Sequence, residues 1–341
     1  MIITMTKNAT REEIESIIKR LETNNFQTGI AVNGRVHIAA IGKGYADEIE
    51  KIRAEKSVEK IENPVNPFIL ASRQMNVTGS IVKVKNIEIG GNDVVVIAGP
   101  CSVESREQVL STAKAVKKAG AVMLRGGAYK PRTSPYEFQG LGVEGLRILR
   151  EVGDETDLPI VTEVMSEDDI EIVSAHADML QIGARNMQNF ALLRKIAKTK
   201  KPILLKRGAS ATVKEWLLAA EYVLAGGNEN VVLCERGIKT FDTSLRNTLD
   251  LAAVALVKEL SHLPVIVDPS HATGKRSIVP ILAKAALAVG ADGVIVEVHP
   301  KPETALSDGA QSLTFQGFTA MMEELTQPVR RIAEIHEHSF A

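Results

Sequence analysis

Apolar positions along this chain follow two different rhythms. Over residues 1–66 the rhythm is mixed. ITMT (2–5) reads as a short strand, and Asn8 or Thr10 caps a helix over REEIESIIKRLE, where Ile14, Ile17, Ile18 and Leu21 share one face. FQTGIAV and RVHIAAI flank Asn33-Gly34, a hairpin signal because both turn positions require positive φ. YADEIEKIRAE reads as a second helix and VEKIE as a last strand, so the order β-α-β-β-α-β predicts a ferredoxin-like unit. The two prolines of ENPVNP end it, which divides the chain into domains at 1–66 and 67–341.

Beyond a hairpin-like alternation at VTGSIVKVKNIEIGG (77–91), the pattern becomes regular. Short, nearly continuous apolar runs occur at VVVIAGP (94–100), AVMLRGG (121–127), LPIVTEV (158–164) and DMLQIGA (178–184). Four more follow at PILLKRG (202–208), NVVLCERG (230–237), LPVIVDPS (263–270) and GVIVEVH (293–299). Helical patterns such as SREQVLSTAKAVKKAG and TVKEWLLAAEYVLAGG separate them. Strands apolar on both faces belong to a parallel sheet covered on both sides. Eight such βα units predict a (β/α)8 TIM barrel of the α/β class. No glycine-rich dinucleotide turn follows Gly99-Pro100-Cys101, which argues against a doubly wound sheet. The 77–91 hairpin then plugs the bottom of the barrel.

Composition narrows the function. The chain has 341 residues, 41 Lys+Arg against 42 Asp+Glu, and 4% aromatics. Near-neutral charge and scarce aromatics argue against nucleic-acid or membrane-surface binding through bulk charge or base stacking. Two cysteines fit a reducing compartment, and no apolar run reaches the roughly 18 residues of a membrane helix. MIITMTKNATREE lacks the features of a secretory leader, so a cytoplasmic enzyme with no nucleic-acid or membrane partner is expected.

A barrel carries chemistry at the C-terminal ends of its strands. Here those ends hold Cys101, Arg125, Glu163, Arg185, Lys206, Glu235-Arg236, Asp268-His271 and Glu297-His299. Cys101, His271, Glu297 and Asp308 form a mixed N/O/S set suited to a divalent Mn, Fe, Zn or Co ion, if the barrel brings them together. Cys234, inside its strand, is read as core. Arg125, Lys130, Arg132, Arg185, Lys206, Arg207 and Arg236 form a basic set that implies anionic small molecules. In LRGGAYKPRTSPYEFQG (124–140) two prolines stiffen a loop bearing Lys130, Arg132, Thr133 and Ser134, a phosphate clamp in outline. A metal beside two basic clusters points to two anionic substrates, at least one phosphorylated.

AGPCSVES (98–105), the 124–142 loop, QIGARNMQNF (181–190), LLKRG, LCERG, DPSHATG (268–274) and VEVHP (296–300) resemble the 3-deoxy-D-arabino-heptulosonate-7-phosphate (DAHP) synthases. The resemblance is to the type I branch with an N-terminal ferredoxin-like domain, and it covers nearly the whole chain. It implies condensation of phosphoenolpyruvate (PEP) with erythrose 4-phosphate and water, releasing phosphate, as the first step of the shikimate pathway to aromatic amino acids. It implies one divalent metal on Cys101, His271, Glu297 and Asp308. Arg125, Lys130, Lys206 and Arg236 correspond to the groups around PEP, with Ala184 and Arg185 at its phosphate. Lys130, Arg132, Thr133 and Ser134 correspond to the binder of the aldose phosphate, and Asp268 to a contact with a sugar hydroxyl. Lys130, with Cys101 and His271, is expected to serve catalysis, Lys130 as proton donor to the new alkoxide.

A homotetramer is also implied, with an aromatic-pathway effector acting at the N-terminal domain. Feedback-sensitive members carry polar side chains on its second strand; here TGIAV (28–32) offers Gly29 and Ala31, so little response to tyrosine is expected. The competing readings are a 3-deoxy-D-manno-octulosonate 8-phosphate synthase, whose loop resembles KANRS rather than KPRTS, a lysine Schiff-base aldolase using Lys206 or Lys130, and a non-catalytic sugar-phosphate sensor.

Overall fold

The computed structural model describes residues 1–32, 34–42 and 46–326. Asn33 of the expected hairpin turn and Tyr45 of the expected second helix lie outside the described residues. The chain opens with β1 (Ile2–Met5), α1 (Arg11–Thr23), β2 (Gln27–Val32), β3 (Val36–Ile41), α2 (Ala46–Arg53) and β4 (Val58–Glu62). Of the two caps considered for α1, the structure uses Thr10. Its hydroxyl accepts from the Glu13 N–H while the Glu13 carboxylate accepts from the Thr10 N–H, satisfying two helix-end donors at once. The strands form one antiparallel sheet in the order β2-β3-β1-β4. Such an order requires both helices on one face. That face buries Ile3, Met5, Ile38 and Ala40 against Ile17, Leu21, Ile49 and Ile52.

The opposite face of the sheet is also covered. Ile2 and Ala39 pack with Ile69 and Met75, from the segment that leads into the barrel. Glu221 of the barrel ties that segment down. Its carboxylate accepts the backbone N–H groups of Ile69, Leu70 and Ala71 at 2.9, 2.7 and 2.9 Å. Phe68 and Ala71 enter the main core.

The antiparallel pair β5 (Val82–Val84) and β6 (Ile87–Ile89) follows. Then come the eight strands expected, as β7 (Val95–Gly99), β8 (Met123–Arg125), β9 (Ile160–Val164) and β10 (Met179–Ile182), continued by β11 (Ile203–Lys206), β12 (Val231–Glu235), β13 (Val265–Val267) and β14 (Gly293–Glu297). All pair in parallel, and β14 closes on β7 through Gly293–Val95 to Glu297–Gly99. Inward side chains Val95, Ile97, Met123, Val161, Met179, Leu204, Val232, Cys234, Ile266 and Ile295 fill the interior, stoppered by Val82, Val84 and Ile89 of the hairpin. Cys234 is therefore core, as its position in the strand implied.

Outward side chains such as Val96, Ala98, Leu124, Leu180 and Leu205 meet the surrounding helices. These are α3 (Arg106–Lys118), α4 (Val143–Thr156), α5 (Ile170–His176), α6 (Phe190–Ile196), α7 (Val213–Ala225), α8 (Leu251–Leu260), the short α9 (Pro269–Thr273), α10 (Val279–Ala288) and α11 (Phe315–Thr326). Burial on both faces explains the absence of period-2 alternation in these strands. Among the described residues no helix is long and apolar enough to cross a membrane.

Candidate active site

The strands deliver their polar termini to one end of the barrel, opposite the hairpin plug. Cys101 follows β7, Arg125 and Lys206 end β8 and β11, Arg236 follows β12, His271 lies in α9, Glu297 ends β14, and Asp308 sits in the loop beyond. Gly99 makes the first of these ends possible. Its φ is +157°, and a Cβ there would lie 2.0 Å from the Arg125 carbonyl oxygen, so only glycine lets β7 and β8 finish this close together.

Cys101, His271, Glu297 and Asp308 each offer one donor atom, all within 4.8 Å of one another. These residues are 207 positions apart at the extremes, and barrel closure alone unites them. The Cys101 thiol donates to Asp308 Oδ2 at 3.2 Å, and His271 Nε2 lies 3.2 Å from Glu297 Oε1 and 3.8 Å from Asp308 Oδ2. Glu297 Oε1 is buried and accepts no hydrogen bond. Burial, reinforced by the Glu297 charge, pushes the Cys101 thiol up to about 12, although Lys130 pulls the other way. Burial also lowers His271 below its ordinary value, against Asp268 and Glu297, which favours a neutral ring. Although burial works against it, His271 and Arg246 hold Asp308 down to about 2. A thiol, a neutral imidazole and two carboxylates converge here, with Glu297 Oε1 ion-paired to Arg125 at 3.2 Å but accepting no hydrogen bond, and this donor set fits a divalent transition metal, whose binding would displace the thiol proton.

The His271 ring is oriented from behind. Asp268 is fully buried; one oxygen accepts from the His271 N–H, and the other meets both His271 Nδ1, at 2.7 Å, and the Lys206 ammonium. Nδ1 is thus held as the protonated nitrogen and Nε2 faces the cluster. Both Asp268 oxygens are engaged in holding His271 and Lys206, and Asp268 does not line the neighbouring cavity.

Beside the cluster lies a cavity of about 270 Å³. Arg125, Lys130, Arg132, Thr133, Ala184, Arg185, Lys206 and Arg236 line it, together with His271 and Asp308. Lys130 is buried and donates to the Cys101 carbonyl oxygen at 3.1 Å and to the sulfur at 3.0 Å. Arg236 is buried, donates to the His271 carbonyl oxygen and, among the described residues, forms no ion pair; burial lowers its pKa. Arg125 pairs with Glu297 at 3.2 Å but leaves its buried Nε unbonded. Buried cations with unused donors facing a cavity are stable only when an anion or solvent supplies the missing partner.

Two expected residues lie off the wall. The Ser134 hydroxyl accepts from the Tyr136 N–H at 3.3 Å and does not line the cavity. Arg207 points outward through the barrel, where it pairs with Glu235 and Asp250 at 2.9 Å each and lies over the Trp216 ring. Its place next to Lys206 in a strand end explains this: consecutive side chains take opposite faces.

Four polar lining residues have no ligand role in the sequence reading: Glu137, Glu163, Gln181 and Arg246. Glu163 accepts from the Gln181 amide at 2.9 Å, and a Cβ on neighbouring Gly183 would come within 2.0 Å of it, so a glycine there makes room for the carboxylate. Its strand-end position was a signal; Arg246, in the long β12–α8 loop, had none.

Comparison with known proteins gives the relatives of the chain. A phospho-2-dehydro-3-deoxyheptonate aldolase of Thermotoga maritima is 46% identical over 335 residues, spanning 98% of both chains. A crystal structure of the T. maritima phospho-2-dehydro-3-deoxyheptonate aldolase (DAHP synthase) superposes with a TM-score of 0.76 at 46% identity, over 95% of each chain. A 2-dehydro-3-deoxyphosphooctonate aldolase of Bordetella petrii is 33% identical over 255 residues, 68% of this chain and 89% of the relative. The sequence model of the DAHP synthetase I family matches residues 70–331. With that match and a relative alike from end to end, the chain belongs to the DAHP synthetase I family.

Proposed function

We propose that the protein is a DAHP synthase that joins C3 of PEP to the aldehyde carbon of erythrose 4-phosphate, adds water at C2 and releases phosphate. One observation carries the reading: four metal-type donors within 4.8 Å border a cavity walled by buried cations. Cys101, His271, Glu297 and Asp308 hold one divalent ion, which supplies Lewis-acid polarisation of the aldehyde when bound; Mn, Fe, Zn and Co all suit the set.

Arg125, Lys206 and Arg236 hold PEP, with Ala184 and Arg185 at its phosphate. Lys130, Arg132 and Thr133 hold the aldose phosphate. Two anions that repel in water are thereby kept together, which removes much of the entropic and electrostatic barrier to their meeting. Lys130 stands between the two groups and delivers a proton to the new alkoxide. Water addition at C2 releases a proton. Glu163 is the acceptor we assign, because its partner is the neutral Gln181 amide, whereas Glu137 and Asp308 are neutralised by Arg132 and Arg246.

The match over the whole chain favours the heptonate product over the octonate, whose enzymes align over about two thirds of it. We further propose domains at 1–66 and 67–341, a homotetramer, and a regulatory role for the first domain, either with another aromatic-pathway effector or with little response to tyrosine. The test is phosphate release from PEP with erythrose 4-phosphate, before and after chelation and with metal add-back. Activity should vanish on chelation and return with the ion; a preference for arabinose 5-phosphate, or turnover indifferent to chelation, would reverse the reading.

A further inference from the structure

Both carboxylates of the four-donor cluster are tied on their outer side. Glu297 turns Oε1 toward His271 Nε2 and Arg125 Nη1, each at 3.2 Å, while its Oε2 accepts from Gln311 Nε2 at 2.6 Å. Asp308 turns Oδ2 toward Cys101, while its Oδ1 accepts from Arg246 Nη1 at 3.2 Å. The same Nη1 donates to Gln311 Oε1 at 3.1 Å. A guanidinium from the β12–α8 loop and an amide from the loop after β14 therefore join into one strap over two carboxylates that belong to different segments. Gln311 is buried, with 2% of its surface exposed, so its amide bonds are held in a place where water does not compete well.

The consequence concerns denticity. A carboxylate free to rotate can offer both oxygens to a cation or swing away; one whose outer oxygen is engaged offers a single oxygen in a fixed direction. Asp308 needs such a restraint most, since it sits on a loop with its own backbone left-handed at φ +48°. We propose that Arg246 and Gln311 are positioning residues that hold Glu297 and Asp308 to one inward oxygen each, setting the coordination and the affinity of the cluster for a divalent cation. The inference rests on the reading of the cluster as a metal site. Arg246 also lines the cavity, so direct contact with a substrate anion is the competing role.

The test uses Co²⁺ with the full chain, reading affinity by chelator competition and coordination by the thiolate charge-transfer and d–d bands. Arg246→Met and Gln311→Met should each weaken Co²⁺ binding by about 10- to 100-fold and alter the d–d intensity. Their double variant should be little worse than either, because the pair acts as a unit. Arg246→Lys, which keeps a cation on Asp308, should recover most of the affinity. Wild-type affinity and spectrum in both single variants would overturn the proposal, and a rise confined to the KM of a substrate would make Arg246 a ligand group instead. If Gln311→Met fails to fold, Arg246→Met decides alone, its side chain being 38% exposed. Absence of Co²⁺ binding and of a thiolate band in the unmodified protein would instead sink the metal-site reading itself.

Discussion

Replacing Glu221 by alanine probes how the N-terminal unit is anchored to the barrel. The carboxylate accepts three consecutive backbone N–H groups, Ile69 and Leu70 on Oε1 and Ala71 on Oε2. Hydrogen bonds to a charged acceptor contribute about 1.5–3 kcal/mol each. Burial counts against the carboxylate, as its raised pKa records, and the alanine variant admits some water to the freed donors. The net loss expected is therefore well below the sum, about 2–4 kcal/mol.

Glu221→Gln separates geometry from charge. Its amide oxygen can keep the two bonds of Oε1, but its NH₂ then faces the Ala71 N–H donor to donor, so an intermediate loss is expected. Urea unfolding gives the magnitude, and amide exchange at 69–71 gives the location: protection should fall there first, along with faster proteolysis in the 62–67 stretch. An alanine variant within about 0.5 kcal/mol of the parent, with exchange at 69–71 unchanged, would refute the anchoring argument.

Arg207→Met should cost about 3–5 kcal/mol by leaving the fully buried Glu235 without its cation, and adding Glu235→Gln should recover part of that loss; unfolding curves decide, and unchanged stability with a raised substrate KM would return Arg207 to the cavity. His262 is buried between the Ser80 hydroxyl and the Leu70 carbonyl, and burial, with Arg73 nearby, lowers its pKa. Because the unfolded ring binds its proton more readily than the native one, the His262 contribution is complete above about pH 6.5 and declines as pH falls below it, by up to ~1.4 kcal/mol per unit. His262→Gln should flatten that acid limb in pH-dependent urea titrations; an unaltered slope would assign the limb to other groups.

Much of this protein is written along the chain itself. Apolar runs with no alternation, spaced by amphipathic helices, can be satisfied only by strands buried on both faces, and eight of them close a barrel. The capped first helix and the β-α-β-β-α-β order likewise follow from local preference and pattern. The strand-end rule nominated Cys101, His271 and Glu297, and residue type added Asp308 from the loop beyond the eighth strand, since both are sequence properties. What remained for the tertiary structure was every question of direction and partner. Lys206 and Arg207 are adjacent, yet one faces the cavity and the other Glu235 and Trp216, because a single residue of register decides the face. Asp268, which the resemblance places at a sugar hydroxyl, has both oxygens engaged by His271 and Lys206, partners that no local pattern names. Arg246, Gln311 and Glu221 carry no local signal at all. Gln311 reaches Glu297 across 14 residues, while the contacts of Arg246 with Asp308 and Gln311, and of Glu221 with 69–71, span 62–65 or about 150, and such encounters exist only once the chain has closed on itself.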